Sequence, residues 1–289
     1  MLRFGLKRID YVALSILLFL LIYLIYRVNS YVEYNWRWHK VLGYLINRDE
    51  TGYHFGLLTK GLFYTLKLSF WSIIFSMIFG LIAGVSRTLK RPFFKIGSLI
   101  YVEINRNIPP LVLVFIFYFF IADQLFVYFD IEHILRAQSQ TVINIVSFTF
   151  APINLLSSFF AGVLTLAIYE SAYIAEIVKA GIESVDSGQK DAAKALGLSK
   201  LKILKYVIMP QATKVIIPPL NSQFISTIKD SSIVSVVAIP ELTFQGMEMM
   251  SATYLTYETW ITVTFFYFFL TFLLSMLNKK IEKKLTANF

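Results

Sequence analysis

The chain has 289 residues, of which 57% are hydrophobic and 16% charged; its net charge is +9 and its mean hydropathy +0.64. Soluble domains are about 45–50% apolar and about 25% charged, so an ordinary soluble domain is excluded, as are disorder and a collagen-like chain; with no cysteine, a disulfide scaffold is excluded too. A polytopic membrane protein fits, and the excess of Lys and Arg then reads as loop orientation rather than as a nucleic-acid surface.

A hydrocarbon core of about 30 Å takes about 20 apolar residues as helix. The qualifying stretches are 9–28 ("YVALSILLFLLIYLIY"), 62–85, 99–121, 153–177, 212–239 and 259–277. The first has a basic start, but "YRVNSY" follows with no small-x-small cleavage site, so it reads as an uncleaved helix rather than a signal peptide. Lys67 falls near the start of the second. Glu103, Asn105 and Arg106 precede the apolar half of the third. The fourth holds Glu170 and Glu176, and the fifth is interrupted by Pro218-Pro219 and by Lys229-Asp230. The whole reads as an all-α, polytopic membrane helix bundle of about six transmembrane helices.

With the N-terminus inside, 18 of the 27 Lys and Arg residues fall on the inside segments 1–10, 86–98, 178–214 and 278–289. The outside segment 122–152 holds only Arg136, and 231–258 holds none against Glu241, Glu248 and Glu258. This asymmetry places both termini in the cytoplasm. Segment 29–61 runs against it with Arg37, Lys40, Arg48 and Lys60. That segment is too polar to span and carries "YNWRWHK", so it is expected at the outer interface, as a connecting loop with a short surface helix or as a partner site.

The long basic loop 183–214 is amphipathic. Asp186 can cap a helix, with Gln189 three residues on as a weak capping-box pattern. Ala192, Ala193 and Leu196 then share one apolar face. Gly197 is a stop, Ser199 caps a second helix, and Pro210 is expected to end or kink it. Small alanines beside a glycine suit close insertion into a partner's cleft, and lysines suit an acidic rim. Anionic lipid would explain the lysines but not the spacing of Ala, Gly and Pro.

Asp191-Ala192-Ala193, three residues, Gly197, nine residues, then Val207-Ile208-Met209-Pro210 resembles the EAA loop of ABC importer permeases, E-A-A-x3-G-x9-I-x-L-P, with Asp for Glu, Val for Ile and Met for Leu. The surrounding "GQKDAAKALGLSKLKILKYVIMPQATKVIIPPL", with "YVEINRNIPPLVLVFIFYF", "AYIAEIVKAGI" and "KDSSIVSVVAIPEL", resembles the polar amino acid branch (histidine, glutamine and glutamate/aspartate permeases) from about residue 57 to 285. Many members have "RGTP" where this chain has Arg106-Asn107-Ile108-Pro109-Pro110; the form here is similar to the glutamate/aspartate and general amino acid members. The resemblance implies a five-helix type I importer core plus an N-terminal helix. The division is then 1–56, an N-terminal transmembrane helix and extracytoplasmic interfacial segment, and 57–289, the permease domain. It also implies a bacterial inner-membrane permease for polar L-amino acids, with the glutamate/aspartate/glutamine class favoured. Gly188, Gln189, Asp191, Ala192, Ala193, Leu196, Gly197 and Pro210 would couple it to a cytoplasmic ATPase dimer. The other implied partners are a second permease subunit, identical or sister, and an extracytoplasmic solute-binding protein.

The chain has no G-x-x-x-x-G-K-[ST] phosphate loop, so ATP and magnesium are expected on the partner ATPase, no cofactor on this chain, and no catalysis by it. An ionisable group within the membrane usually faces protein or a water-filled cavity. Candidates for a translocation pathway are Arg106, Glu170, Glu176, Asn221, Gln223, Lys229 and Asp230. Arg106 suits a carboxylate and the glutamates an ammonium. Each also has a structural reading: Arg106 with Glu103, Glu176 with Lys179, Lys229 with Asp230, and both proline pairs as helix breaks. His39, His54 and His133 are scattered, which argues against a metal site. A self-sufficient secondary transporter or channel is the alternative; a membrane-embedded enzyme lacks any usable catalytic set.

Overall fold

The computed structural model describes residues 8–31, 34–49 and 52–287; Arg3 and Lys7, two of the inside cations, lie outside the described residues. The chain divides into two units, Met1–Lys40 and Val41–Phe289. The first holds α1 (Arg8–Tyr31), whose Ile9–Leu24 stretch is apolar but shorter than a full span. Its described side chains are exposed around the whole helix, which suits an apolar solvent. After it, the Trp36 and Trp38 rings stack with centroids 5.9 Å apart.

The second unit is the helix bundle. The turn-rich start gives α2 (Trp38–Leu45, from Val41 onward within this unit) and an antiparallel hairpin, β1 (Ile46–Asp49) with β2 (Gly52–Phe55). Then follow α3 (Leu57–Thr88), α4 (Pro92–Asn107), α5 (Pro110–Tyr128), α6 (Ile131–Arg136), α7 (Gln140–Thr149) and α8 (Ile153–Glu183). The remainder is α9 (Ser187–Ala195), α10 (Lys200–Val237), α11 (Leu242–Thr253) and α12 (Thr256–Ala287). Among the described residues, α3, α5, α8 and Thr256–Lys280 of α12 are each long and apolar enough to cross a membrane. The pair α10 and α11 is bent by 49° at its break and counts as a fifth when the two are taken as one span.

Of the two proline pairs expected to break helices, Pro109-Pro110 does and Pro218-Pro219 does not. The stretch 99–121 is not one helix. Prolines lack an N–H and force the preceding residue out of the α region, and here Ile108 and Pro109 take ψ 130° and 134°. The break leaves α4 as an amphipathic helix and starts the span at Pro110. Pro218-Pro219, by contrast, lie inside an unbroken helix. Lost hydrogen bonds at prolines are tolerated in membrane helices, and the bend falls instead at Ala238, which has a left-handed φ of 56°, with Pro240 close behind. Pro210 likewise does not end its helix: a π turn at Leu204–Ile208 carries the backbone into it.

The bundle is built on α3 against α8. Apolar side chains gain little by meeting each other rather than lipid, so close backbone approach and dispersion contact hold such helices together. Gly80 and Gly84 form a G-x-x-x-G pair. A Cβ at Gly84 would lie 2.7 Å from the Val178 Cβ and 2.8 Å from the Ala175 carbonyl oxygen. Several buried hydroxyls on these helices donate to backbone carbonyls, as Ser72 to Leu68 (2.7 Å) and Thr165 to Ala161 (2.8 Å), whereas the buried Tyr64 and Ser69 hydroxyls of α3 have no partner. Ser98 fastens α4 to α3 through the Ala83 carbonyl at 2.7 Å. At the other end, buried Glu241 caps α11 by accepting from the Thr243 and Phe244 N–H groups and from the Tyr267 hydroxyl.

Candidate functional site

Helix α9 is fixed by its ends. Asp186 accepts from the Gly188 N–H at 2.8 Å. At the other end Gly197 takes φ +75°, a left-handed conformation that a side chain disfavours. Its N–H donates to the Lys194 carbonyl and the Leu198 N–H to the Ala193 carbonyl, the paired bonds of a Schellman stop. The capping box with Gln189 does not form. The Gln189 side-chain oxygen accepts instead from Gln211 Nε2 (2.5 Å), which ties α9 to α10 one residue past Pro210. Lys190 donates to the Ile182 carbonyl at the end of α8 (3.3 Å). Of the expected apolar face, Ala193 is buried against the body, whereas Ala192 is exposed and Leu196 is 82% exposed. Asp191 pairs with Lys194, and that ammonium holds its carboxyl below the usual range. The result is a short helix bolted to α8 and α10 that presents small and apolar side chains outward.

A second constellation runs along α8. Glu176 is shared by two guanidiniums: Arg87, buried in the last turn of α3, and Arg106 (3.3 Å) in the last turn of α4. Arg106 also lies over the Tyr173 ring, 5.5 Å from its centroid. The Tyr173 and Tyr169 hydroxyls are 3.3 Å apart. Tyr169 in turn lies near Glu170 and Asp230. Glu170 is fully buried, accepts from Gln223 of α10, and leaves its other oxygen without a partner. This ribbon joins the Arg87–Glu176–Arg106 cluster at one end to Glu170 and Asp230 at the other, with two tyrosine hydroxyls between. Glu170 and Glu176 are six residues apart, about 9 Å along a helix.

The sequence candidates therefore fall into groups. Arg106 and Glu176 meet, and so do Glu170, Gln223 and Asp230. The expected local pairs are replaced: Glu176 bonds Arg87 and Arg106 rather than Lys179, while Glu103 takes Asn107 at 3.3 Å. Lys229 is exposed and does not pair with Asp230. Asn221 buries its side-chain amide nitrogen without a partner, and its backbone carbonyl accepts from the Asn278 side chain of α12. Tyr173 and Gln211 are not among the sequence candidates, and Arg87 reads there only as an inside-loop cation. Arg87 had a usable signal, since Gly80, Ala83, Gly84 and Arg87 continue one helical stripe that ends on a charge.

Residues 76–287 match the family model described as "Binding-protein-dependent transport system inner membrane component". The chain is 34% identical over 237 residues to a probable glutamine ABC transporter permease protein, GlnM, of Bacillus subtilis (strain 168), covering 82% of this chain and 96% of that one. It is 30% identical to the arginine transport system permease protein ArtQ of the same organism, covering 80% and 93%. A crystal structure of an amino acid ABC transporter with histidines superposes with a TM-score of 0.62 at 33% identity, covering 79% of this chain and 94% of that chain.

Proposed function

Because the chain belongs to the family of binding-protein-dependent transport system inner membrane components, we propose that it works as the membrane lever and pathway of an ATP-driven importer. It is a multi-pass ABC importer permease for polar amino acids, a transport subunit. In the proposed assembly it stands beside a second permease subunit, identical or sister. An ATPase dimer holding ATP and magnesium lies beneath, and an extracytoplasmic solute-binding protein above delivers the amino acid. This chain itself carries out no chemistry. Residues 57–289 are the permease domain and 1–56 an added N-terminal helix with its interfacial segment; both termini face the cytoplasm, as the Lys and Arg bias supports.

The observation that carries this reading is α9, capped at Asp186 and stopped at Gly197, with Ala192 and Leu196 outward. Seated in a groove of the ATPase through Gly188, Gln189, Asp191, Ala192, Leu196 and Gly197, with buried Ala193 holding it to the body, it would be drawn toward its counterpart when the ATPase dimer closes on ATP. The bonds of Gln189 and Lys190 pass that displacement to α10 and α8. The bundle then exchanges one packing for another, opening outward, and hydrolysis resets it. The continuous helix through Pro210 supports rigid transmission. In this reading Arg106 of α4 would take the substrate carboxylate by a two-pronged hydrogen bond, and Glu170 with Asp230 would take an ammonium, with Gln223, Asn221 and Lys229 along the same route. Polar amino acids of the glutamine, glutamate and aspartate class fit a ribbon with two guanidiniums around one carboxylate at one end and two carboxylates at the other. Reconstitution with the cognate ATPase and binding protein tests this. Uptake of glutamine is expected only with ATP and both partners; uptake driven by an ion gradient without them would overturn it.

A further inference from the structure

The hairpin that precedes α3 is sided. Cross-strand partners in an antiparallel pair point to the same side, and residues two apart along a strand share a face. The register pairs Ile46 with Phe55 and Arg48 with Tyr53 on one face, and Asn47 with His54 on the other. The first face is apolar yet uncovered: Ile46 is 57% exposed, Tyr53 75% and Phe55 58%. Its cation, Arg48, is exposed and lies over the Tyr53 ring at 5.5 Å. The hairpin is held firmly. The Gly56 N–H and the Thr59 hydroxyl both donate to the Leu45 carbonyl at 2.8 Å, and Val41 of α2 is buried beside Leu58 and Leu242.

The face continues into the membrane-facing side of α3. Phe55 meets the Phe63 ring (centroids 5.3 Å), and Phe63 and Phe70, two turns apart, are exposed on one side of that span. Depth follows from arithmetic. A core of about 30 Å spans about 20 residues of helix. Counted back from the buried Arg87, this reaches Lys67, whose ammonium donates to the Ser147 carbonyl of α7 (3.1 Å). Phe63, one turn beyond, and the hairpin against it then stand at headgroup level, where aromatic rings are favoured. We propose that the β1–β2 hairpin is a membrane-interface anchor: Ile46, Tyr53 and Phe55 rest in the headgroup boundary of the lipid around α3, and Arg48 pairs with lipid phosphate. This also accounts for Arg48 on a segment that breaks the charge bias of the other loops.

The chain has no cysteine, so one introduced cysteine is the single nitroxide site on it, labelled before the partner subunits are added. Labels at Tyr53→Cys and Phe55→Cys, with Asn47→Cys and His54→Cys as opposite-face controls, are read in the complete transporter in phosphatidylglycerol-containing nanodiscs. Labels at 53 and 55 are expected to collide more with oxygen than with a water-soluble nickel chelate, and labels at 47 and 54 the reverse. Ile46→Cys serves if either lipid-side variant does not assemble. Chelate access at 53, 55 and 46 would overturn the anchor. So would labels shielded from both agents until a protein partner is removed, which would mark a protein interface instead.

Discussion

Glu176→Gln tests whether the charged cluster is a mechanical joint. Removing one partner of a fully buried ion pair costs about 3–5 kcal/mol, because the survivor's charge is left buried; an exposed pair is worth only about 0–1 kcal/mol. Arg87 is 7% exposed and Glu176 31%, so the joint sits between these limits and a loss of about 2–3 kcal/mol is expected. Arg106 is 40% exposed, so Arg106→Ala should cost under about 1 kcal/mol while lowering uptake. The assay is unfolding of the purified permease by detergent titration, run as a double-mutant cycle with Arg87→Met. The double variant should be more stable than the sum of the single losses allows, by about 1–2 kcal/mol. If Glu176→Gln unfolds with the wild type, or the cycle is additive, the joint does not hold α3 to α8.

Other outcomes follow from the same geometry. Gly84→Val pushes a branched side chain onto Val178 and the Ala175 carbonyl, so a loss of about 1–3 kcal/mol is expected, measured in the same titration. Gly197→Val forces a β-branched residue to φ +75°, a local strain of roughly 1–2 kcal/mol; reconstituted uptake should fall while the bundle keeps its denaturation midpoint. Gln223→Ala strips Glu170 of its donor and should reduce uptake without altering ATPase binding, read by co-purification. Asp191 titrates low because Lys194 bonds it, so the stabilising effect is present above the unfolded carboxyl range and lost as pH falls through the lowered one. Lys194→Ala should raise the Asp191 titration midpoint measured by NMR.

Composition and hydropathy carry the fold class, because each span must satisfy its own backbone within lipid. The break at Pro109-Pro110 was legible for the same reason that the absence of one at Pro218-Pro219 was not. A proline pair removes donors in both places, but only the tertiary packing decides whether the helix survives the loss. The ends of α9 could be read directly, since Asp186 and Gly197 act through local backbone chemistry. The partners of Glu176 could not, because Arg87 lies 89 positions away and meets it only through the α3–α8 crossing. Sequence neighbours such as Lys179 mislead wherever a charge turns toward another helix.

The account depends most on α9 being seated against a cytoplasmic ATPase. A single cysteine at Leu196, in a chain that otherwise has none, measures this directly in the assembled transporter. A thiol-reactive photocrosslinker placed there should capture the ATPase subunit, and an impermeant thiol reagent should reach the site only from the cytoplasmic side. Labelling from the outer face, or capture of no ATPase in a transporter that still imports, would contradict the account.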